Sequence, residues 1–206
     1  MTTEHATTSL LHADRYVLRP LVPTDAPAMA AAVRESVASL NPWMPWAHAG
    51  YDEADALDWI AGCAAARADG SAYEFGIFRP RGTGGSTAGS ATPGEDDLDY
   101  IGNAGLNQFN RVHNFCNLGY WVRAAAQRQG AGLAAIHALA RFGFDRLGLA
   151  RVEIVVADGN LPSLALARRA CAVHEGLARN RLHLHGGPVA AHVLSLVPDA
   201  SPASPT

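Results

Sequence analysis

Apolar residues at Leu133, Ile136, Ala140, Phe144 and Leu147 recur at steps of three or four, which places them on one helix face. Gly148 follows as a C-terminal stop. The same spacing through Met29, Val33 and Val37 predicts an earlier helix, with Thr24 as its cap and Asp25 at its electropositive end. Asp52 is expected to cap a second helix that turns Leu57, Ile60 and Ala64 inward and runs towards Gly70. Alternating or β-branched runs predict strands at Tyr16–Pro20, Tyr73–Phe78, Tyr100–Leu106, Asn117–Val122 and Arg151–Val156. Pro162 suits the first turn of a short helix through Leu166 and Arg169. Leu177–Leu184 and Ala191–Val197 read as a hairpin around Gly186-Gly187-Pro188. The order is strand, two helices, three strands, helix, strand, helix, two strands. It implies an α+β arrangement, with mixed α and β layers about one sheet.

Between these elements, Asn41-Pro42-Trp43-Met44-Pro45-Trp46 is a loop, because its two prolines remove donors and fix φ. Residues 79–97 are rich in Gly, Ser, Thr and Pro and are expected to form a mobile loop between two paired strands. Residues 1–12 and 198–206 are expected to be flexible tails, leaving a single domain over 13–197. With 206 residues, 49% of them apolar, the chain can bury one good core.

Charge narrows the partners. A formal net charge of -3 gives no basic excess of the kind a nucleic-acid surface shows. All 16 basic side chains are Arg, which reads as codon bias in a GC-rich genome. Three widely spaced cysteines, Cys63, Cys116 and Cys171, suggest small buried thiols and no disulfide framework. No apolar run approaches a membrane span, so no membrane partner is expected and a bacterial cytoplasmic enzyme is the expectation.

The chemistry concentrates between Val122 and Leu133. Gly130 and Gly132 permit a tight turn just before a helix whose first N–H groups lack internal partners. Such a helix start cradles a phosphate or diphosphate. A Walker A loop is excluded, because Gly132 is followed by Leu133 and the chain has no Lys. Gly130-Ala131-Gly132-Leu133-Ala134-Ala135 fits G-x-G-x-x-A, and Asp158 lies downstream, so an NADP-dependent oxidoreductase is one reading. Seven residues separate Val122 from Gly130, however, where that fingerprint sits tight against its strand.

Gln127-Arg128-Gln129-Gly130-Ala131-Gly132 also resembles the Q/R-x-x-G-x-G/A acetyl-CoA motif of the GNAT N-acetyltransferases. Asn41-Pro42-Trp43-Met44-Pro45-Trp46, Gly119-Tyr120-Trp121-Val122, Leu147 through Glu153, and Asn160-Leu161-Pro162-Ser163 resemble the RimJ/RimL branch, named for ribosomal-protein N-terminal acetyltransferases. They fall in that family's order from about Tyr16 to Leu196. The resemblance implies the GNAT fold, with a mixed, mostly antiparallel sheet flanked by helices. It implies transfer of acetyl from acetyl-CoA, as co-substrate, to a primary amine, with no metal. The acceptor would be a protein N-terminus, a small amine or an amino-acid-like antibiotic. A CoA-binding GNAT domain without activity is a third reading.

The resemblance also implies roles. Gln127, Arg128, Gln129, Gly130, Ala131, Gly132 and Leu133 would hold the diphosphate, and Tyr120, Trp121 and Val122 the pantetheine arm. Asn160 and Ser163 would contact the cofactor, with Ser163 protonating the departing thiolate. The penultimate strand, Arg181-Leu182-His183-Leu184-His185, lacks the acidic base suggested for some relatives. Glu74, His113 and His183 are the candidate bases. His183 and His185 would share a strand face, but two such histidines make a poor metal site. Trp43 and Trp46 could line the acceptor pocket, pack in the core or form a homodimer contact.

Overall fold

A computed structural model describes residues 10–81 and 97–198. The strands are β1 (Leu11–Ala13), β2 (Tyr16–Arg19), β3 (Tyr73–Pro80), β4 (Leu98–Asn110), β5 (Phe115–Val122), β6 (Arg151–Ala157), β7 (Val173–Leu184) and β8 (Gly187–Leu196). The helices are α1 (Ala26–Leu40), α2 (Glu53–Asp69), α3 (Ala131–Arg141) and α4 (Leu161–Arg169). One eight-stranded sheet runs in the order β1-β2-β3-β4-β5-β6-β8-β7. Every neighbouring pair is antiparallel except β5–β6. This is the mixed, mostly antiparallel sheet expected from the sequence.

Strand alternation sorts side chains to two faces. Phe75, Ile77, Leu118 and Ile154 join Ile136 and Leu139 of α3 in one core. Phe78, Tyr100 and Trp121 join Met29 and Val33 of α1 and Ile60 of α2 in the other. The sheet is therefore a wall with two differently furnished sides.

Several boundaries differ from expectation. Leu11 and His12 belong to β1, paired with Leu18 and Val17, so the sheet begins before the expected domain boundary at residue 13. Arg79 and Pro80 complete β3, opposite Asp99 and Leu98, so the expected loop is shorter at its start. Residues 1–9, 82–96 and 199–206, where most of the expected tails and loop fall, lie outside the described residues. Asp25, not Thr24, occupies the cap position of α1. Its carboxylate accepts from Arg19 and from the Val22 N–H at 2.8 Å, which ties β2 to the helix. On α2 only Ala56 and Ile60 are buried; Leu57 and Ala64 face outward, because the helix touches its neighbours along a single narrow line. Cys171 is exposed, unlike buried Cys116.

Candidate active site

The site is built where β5 leaves β6. The two strands pair only through Phe115–Arg151, Cys116–Val152 and Asn117–Glu153. Beyond Asn117, β5 stays with β4 as far as Val122, while β6 runs on with β8 as far as Ala157. A gap opens between them. Arg123 N–H donates to Ile101 at 2.9 Å, which fixes the odd-numbered residues of β5 as those bonded to β4. The N–H and C=O groups of Tyr120 and Val122 consequently turn towards the gap. Consistent with this, the Val122 carbonyl accepts the Gln127 side-chain amide at 3.2 Å.

Trp121 departs from expectation. Its peptide groups belong to the β4 ladder opposite Asn103, and its ring packs in the α1–α2 core 6.0 Å from Trp46 and from Tyr100. Alternation along the strand gives Tyr120 and Val122 to the gap and withholds Trp121.

At the wide end of the gap stands the start of α3. Gly130 is its cap residue at φ +92°, a left-handed backbone that favours glycine, and no side chain caps the helix. A Cβ on Gly130 would meet nothing within 4 Å, so the approach is open. At Gly132 a Cβ would lie 2.7 Å from Leu166 Cδ2, so its bareness also seats α4. The loop is held from both sides. Arg15 and Tyr16 donate to the Gln129 carbonyl at 2.7 and 2.5 Å, and Arg79 donates to the Gln129 side chain at 3.0 Å. Glu35 of α1 accepts from the Arg123 guanidinium and the Ala125 N–H, and Ser36 accepts from the Ala124 N–H at 2.9 Å. Arg123 and the Ala125 N–H hold the Glu35 carboxyl below the usual carboxylate range. Nothing in the local sequence marks Glu35 or Ser36, which lie 88 or more positions from the groups they bind. Arg128 is exposed, also with positive φ.

Across the gap, Asn160 caps α4 by accepting the Ser163 N–H at 3.3 Å. The Ser163 hydroxyl stands 3.0 Å from the Tyr120 hydroxyl, so β5 and α4 meet through two O–H groups on the α3–α4 side. Burial pushes the Tyr120 phenol up, which keeps it protonated at neutral pH. On the opposite side of the sheet, Glu74 accepts from Asn107 at 2.9 Å, and burial raises its carboxyl. Trp43 approaches Gly159 in the β6–α4 turn, and His185 bonds the Asn41 carbonyl at 3.0 Å, so the β7–β8 tip meets the α1–α2 loop.

His113 is not brought to the site. It sits on the exposed β4–β5 turn, where its N–H donates to Asn110, at the end of β5 remote from the start of α3. An open hollow of about 490 Å³ lies beside α3, against Ala13, Asp14, His137 and Phe144, and no residue of the Gln127–Gly132 motif lines it. The G-x-G-x-x-A reading fails on topology: the strand before the turn is antiparallel to β4, and the sheet holds one parallel pair, where a dinucleotide fold needs several. Among the described residues no helix is long and apolar enough to cross a membrane.

Comparison with known proteins agrees. The model of the Acetyltransferase (GNAT) domain matches residues 15–171. A Bacillus subtilis protein, "Putative ribosomal N-acetyltransferase YdaF", is 32% identical over 90 residues, 44% of this chain and 49% of the relative. The match thus spans about half the length of that curated relative. A solved Vibrio cholerae structure, of a "putative ribosomal-protein-serine acetyltransferase", is 32% identical with a TM-score of 0.73, covering 96% of this chain and 100% of that one. Mycobacterium smegmatis RimJ, solved with CoA-disulfide, shares the fold at a TM-score of 0.76 and 20% identity, covering 95% and 89%. A family match over three quarters of the chain, on a sheet that parts beside an uncapped helix start, leaves one conclusion: the chain belongs to the GNAT acetyltransferase family.

Proposed function

We propose that the chain transfers acetyl directly from acetyl-CoA to a primary amine, a protein N-terminal amine or a small amine. The observation that carries this is the parting of β5 from β6 after three residue pairs, beside the open start of α3. The diphosphate lies on the N–H groups from Arg128 to Leu133, where the helix dipole favours an anion and Arg128 adds charge. Gln127 already reaches back to Val122 and sets the width of that loop. The pantetheine amides pair with the peptide groups of Tyr120 and Val122 that face the gap. An N–H on the same edge polarises the thioester carbonyl and steadies the tetrahedral oxyanion. The chief catalytic contribution is positioning, which converts a bimolecular attack into one within a complex.

Charge then has two exits. The amine loses its proton to Glu74, directly or through water, and the carboxyl's raised affinity for a proton suits that task. A terminal α-amine, at about 7.7–8.0, is already partly neutral near pH 7, so a modest base suffices. The departing thiolate, with a pKa of about 8.5, collects a proton from Ser163, which the Tyr120 hydroxyl can replenish. Two relatives whose names refer to ribosomal acetylation support a protein terminus as acceptor. A thiol-release assay over N-terminal peptides and small amines tests the proposal. Acetyl-dependent release with at least one amine is expected; none across a broad panel overturns it.

A further inference from the structure

The three glycines of the central strands β3 and β4 are each explained by a neighbour. A Cβ on Gly76 would lie 2.6 Å from Leu21 and Phe78, one on Gly102 2.2 Å from the Trp121 carbonyl, and one on Gly105 2.0 Å from Glu74 Oε2. Gly119 is different. It sits in the middle of β5, directly opposite Gly105, where glycine costs stability and gives no packing. A Cβ there would meet nothing nearer than 3.9 Å, the side-chain amides of Asn107 and Asn117. Its φ is not positive, so neither backbone strain nor crowding calls for glycine. The space is on the α1–α2 face, the side of Asn117 and Trp121, and it adjoins the point where β6 departs.

A polar chain borders that space. Asn117 Nδ2 donates to Asn107 Oδ1 at 3.0 Å, and Asn107 Nδ2 donates to Glu74 Oε1 at 2.9 Å. Because Gly105 has no side chain, Glu74 lies flat across β4 with its carboxylate turned towards β5. Facing Glu74 from α2 are Arg67, which donates to the Glu74 carbonyl at 2.7 Å, and Cys63; β4 and β5 present the two asparagines. We propose that the bare surface of Gly119 is the slot through which the acceptor amine reaches the gap, and that Asn107 and Asn117 are positioning residues that hold Glu74 against it. This rests on the acetyl-transfer reading above and names where its acceptor enters.

The slot and the carboxylate have separate tests. Gly119→Ala and Gly119→Val add methyl groups into open space, so both should fold and bind acetyl-CoA as the parent does. Each should lower kcat/KM for the amine by about tenfold or more, Val beyond Ala, since small misplacements of reacting groups are costly. Asn107→Ala removes a donor that favours the Glu74 carboxylate. The acid limb of the kcat/KM profile should therefore move up by about one pH unit, with KM for acetyl-CoA unchanged. Unchanged amine kinetics in Gly119→Val, or an unmoved limb in Asn107→Ala while Glu74→Gln abolishes that limb, overturns the inference. An inactive parent would instead sink the acetyl-transfer reading. Acetyl-CoA binding by calorimetry confirms that each variant is folded.

Discussion

At the residue scale, the pair Tyr120–Ser163 shows what one contact can decide. Two hydroxyls 3.0 Å apart, one on β5 and one on α4, span the gap from which the proposed reaction would release a thiolate. Ser163 also accepts no help from Asn160's oxygen, which is committed to the Ser163 N–H as the helix cap. A Ser163→Ala substitution leaves that cap bond intact, because it uses only the backbone N–H. The loss is chemical: kcat should fall by about tenfold to a hundredfold at neutral pH, with KM for acetyl-CoA little changed. The deficit should shrink above about pH 9, where the thiol, with a pKa near 8.5, departs without a proton. A pH-independent deficit in the kcat profile would remove Ser163 from thiolate protonation. The sequence motif names Ser163, but nothing in it points to Tyr120 as the partner of its hydroxyl; that the phenol crosses to α4 is a tertiary fact.

At the element scale, the strand–loop–helix unit from Asn117 to Arg141 was legible because each part carries a local signal. Helix spacing, a strand run and glycines each follow from short-range physics. What the signal could not assign was the use of each glycine. Gly130 meets a backbone demand at φ +92°, whereas Gly132 makes room for Leu166 on α4. Gly132→Ala should therefore push Leu166, and with it the helix bearing Ser163, and lower kcat/KM by about tenfold. Truncating the obstacle in Gly132→Ala/Leu166→Ala should restore much of that loss, and a double-mutant cycle measures the coupling. Additive losses in the cycle would show that the alanine methyl harms the cofactor directly. Other elements were illegible for matching reasons. β1 is three residues long, too short for alternation to show, and α2 buries Ala56 and Ile60 while Leu57 faces outward. Glu35 and Ser36 grip the loop from α1, but a carboxylate and a hydroxyl in a helix announce nothing until the fold places them beside Arg123 and Ala124.

At the scale of the whole molecule, the sheet is two ladders, β1 to β5 and β6 with β8 and β7, joined by three residue pairs. Beyond those pairs they are held by α3 and α4, whose core takes Leu118 from one ladder and Ile154 and Leu194 from the other. Acetyl-CoA lying in the gap would bond the edge of β5 and the start of α3 at once, completing a sheet edge that ends unpaired. Ligand at about 100 times Kd adds about 2.7 kcal/mol to stability, which for a chain of this size corresponds to a melting temperature about 5–10 °C higher. The nucleotide half of the cofactor, 3′-phosphoadenosine 5′-diphosphate, would bring its diphosphate to the helix start and nothing to the strand. At equal concentration it should bind more weakly and give a clearly smaller shift. NADPH, whose diphosphate suits the same helix start but whose nicotinamide end finds no matching strand edge, should do no better. Equal shifts from all three ligands at matched concentration would mean that the diphosphate site alone does the binding. The parted strands would then be a feature of the fold with no part in holding the thioester arm.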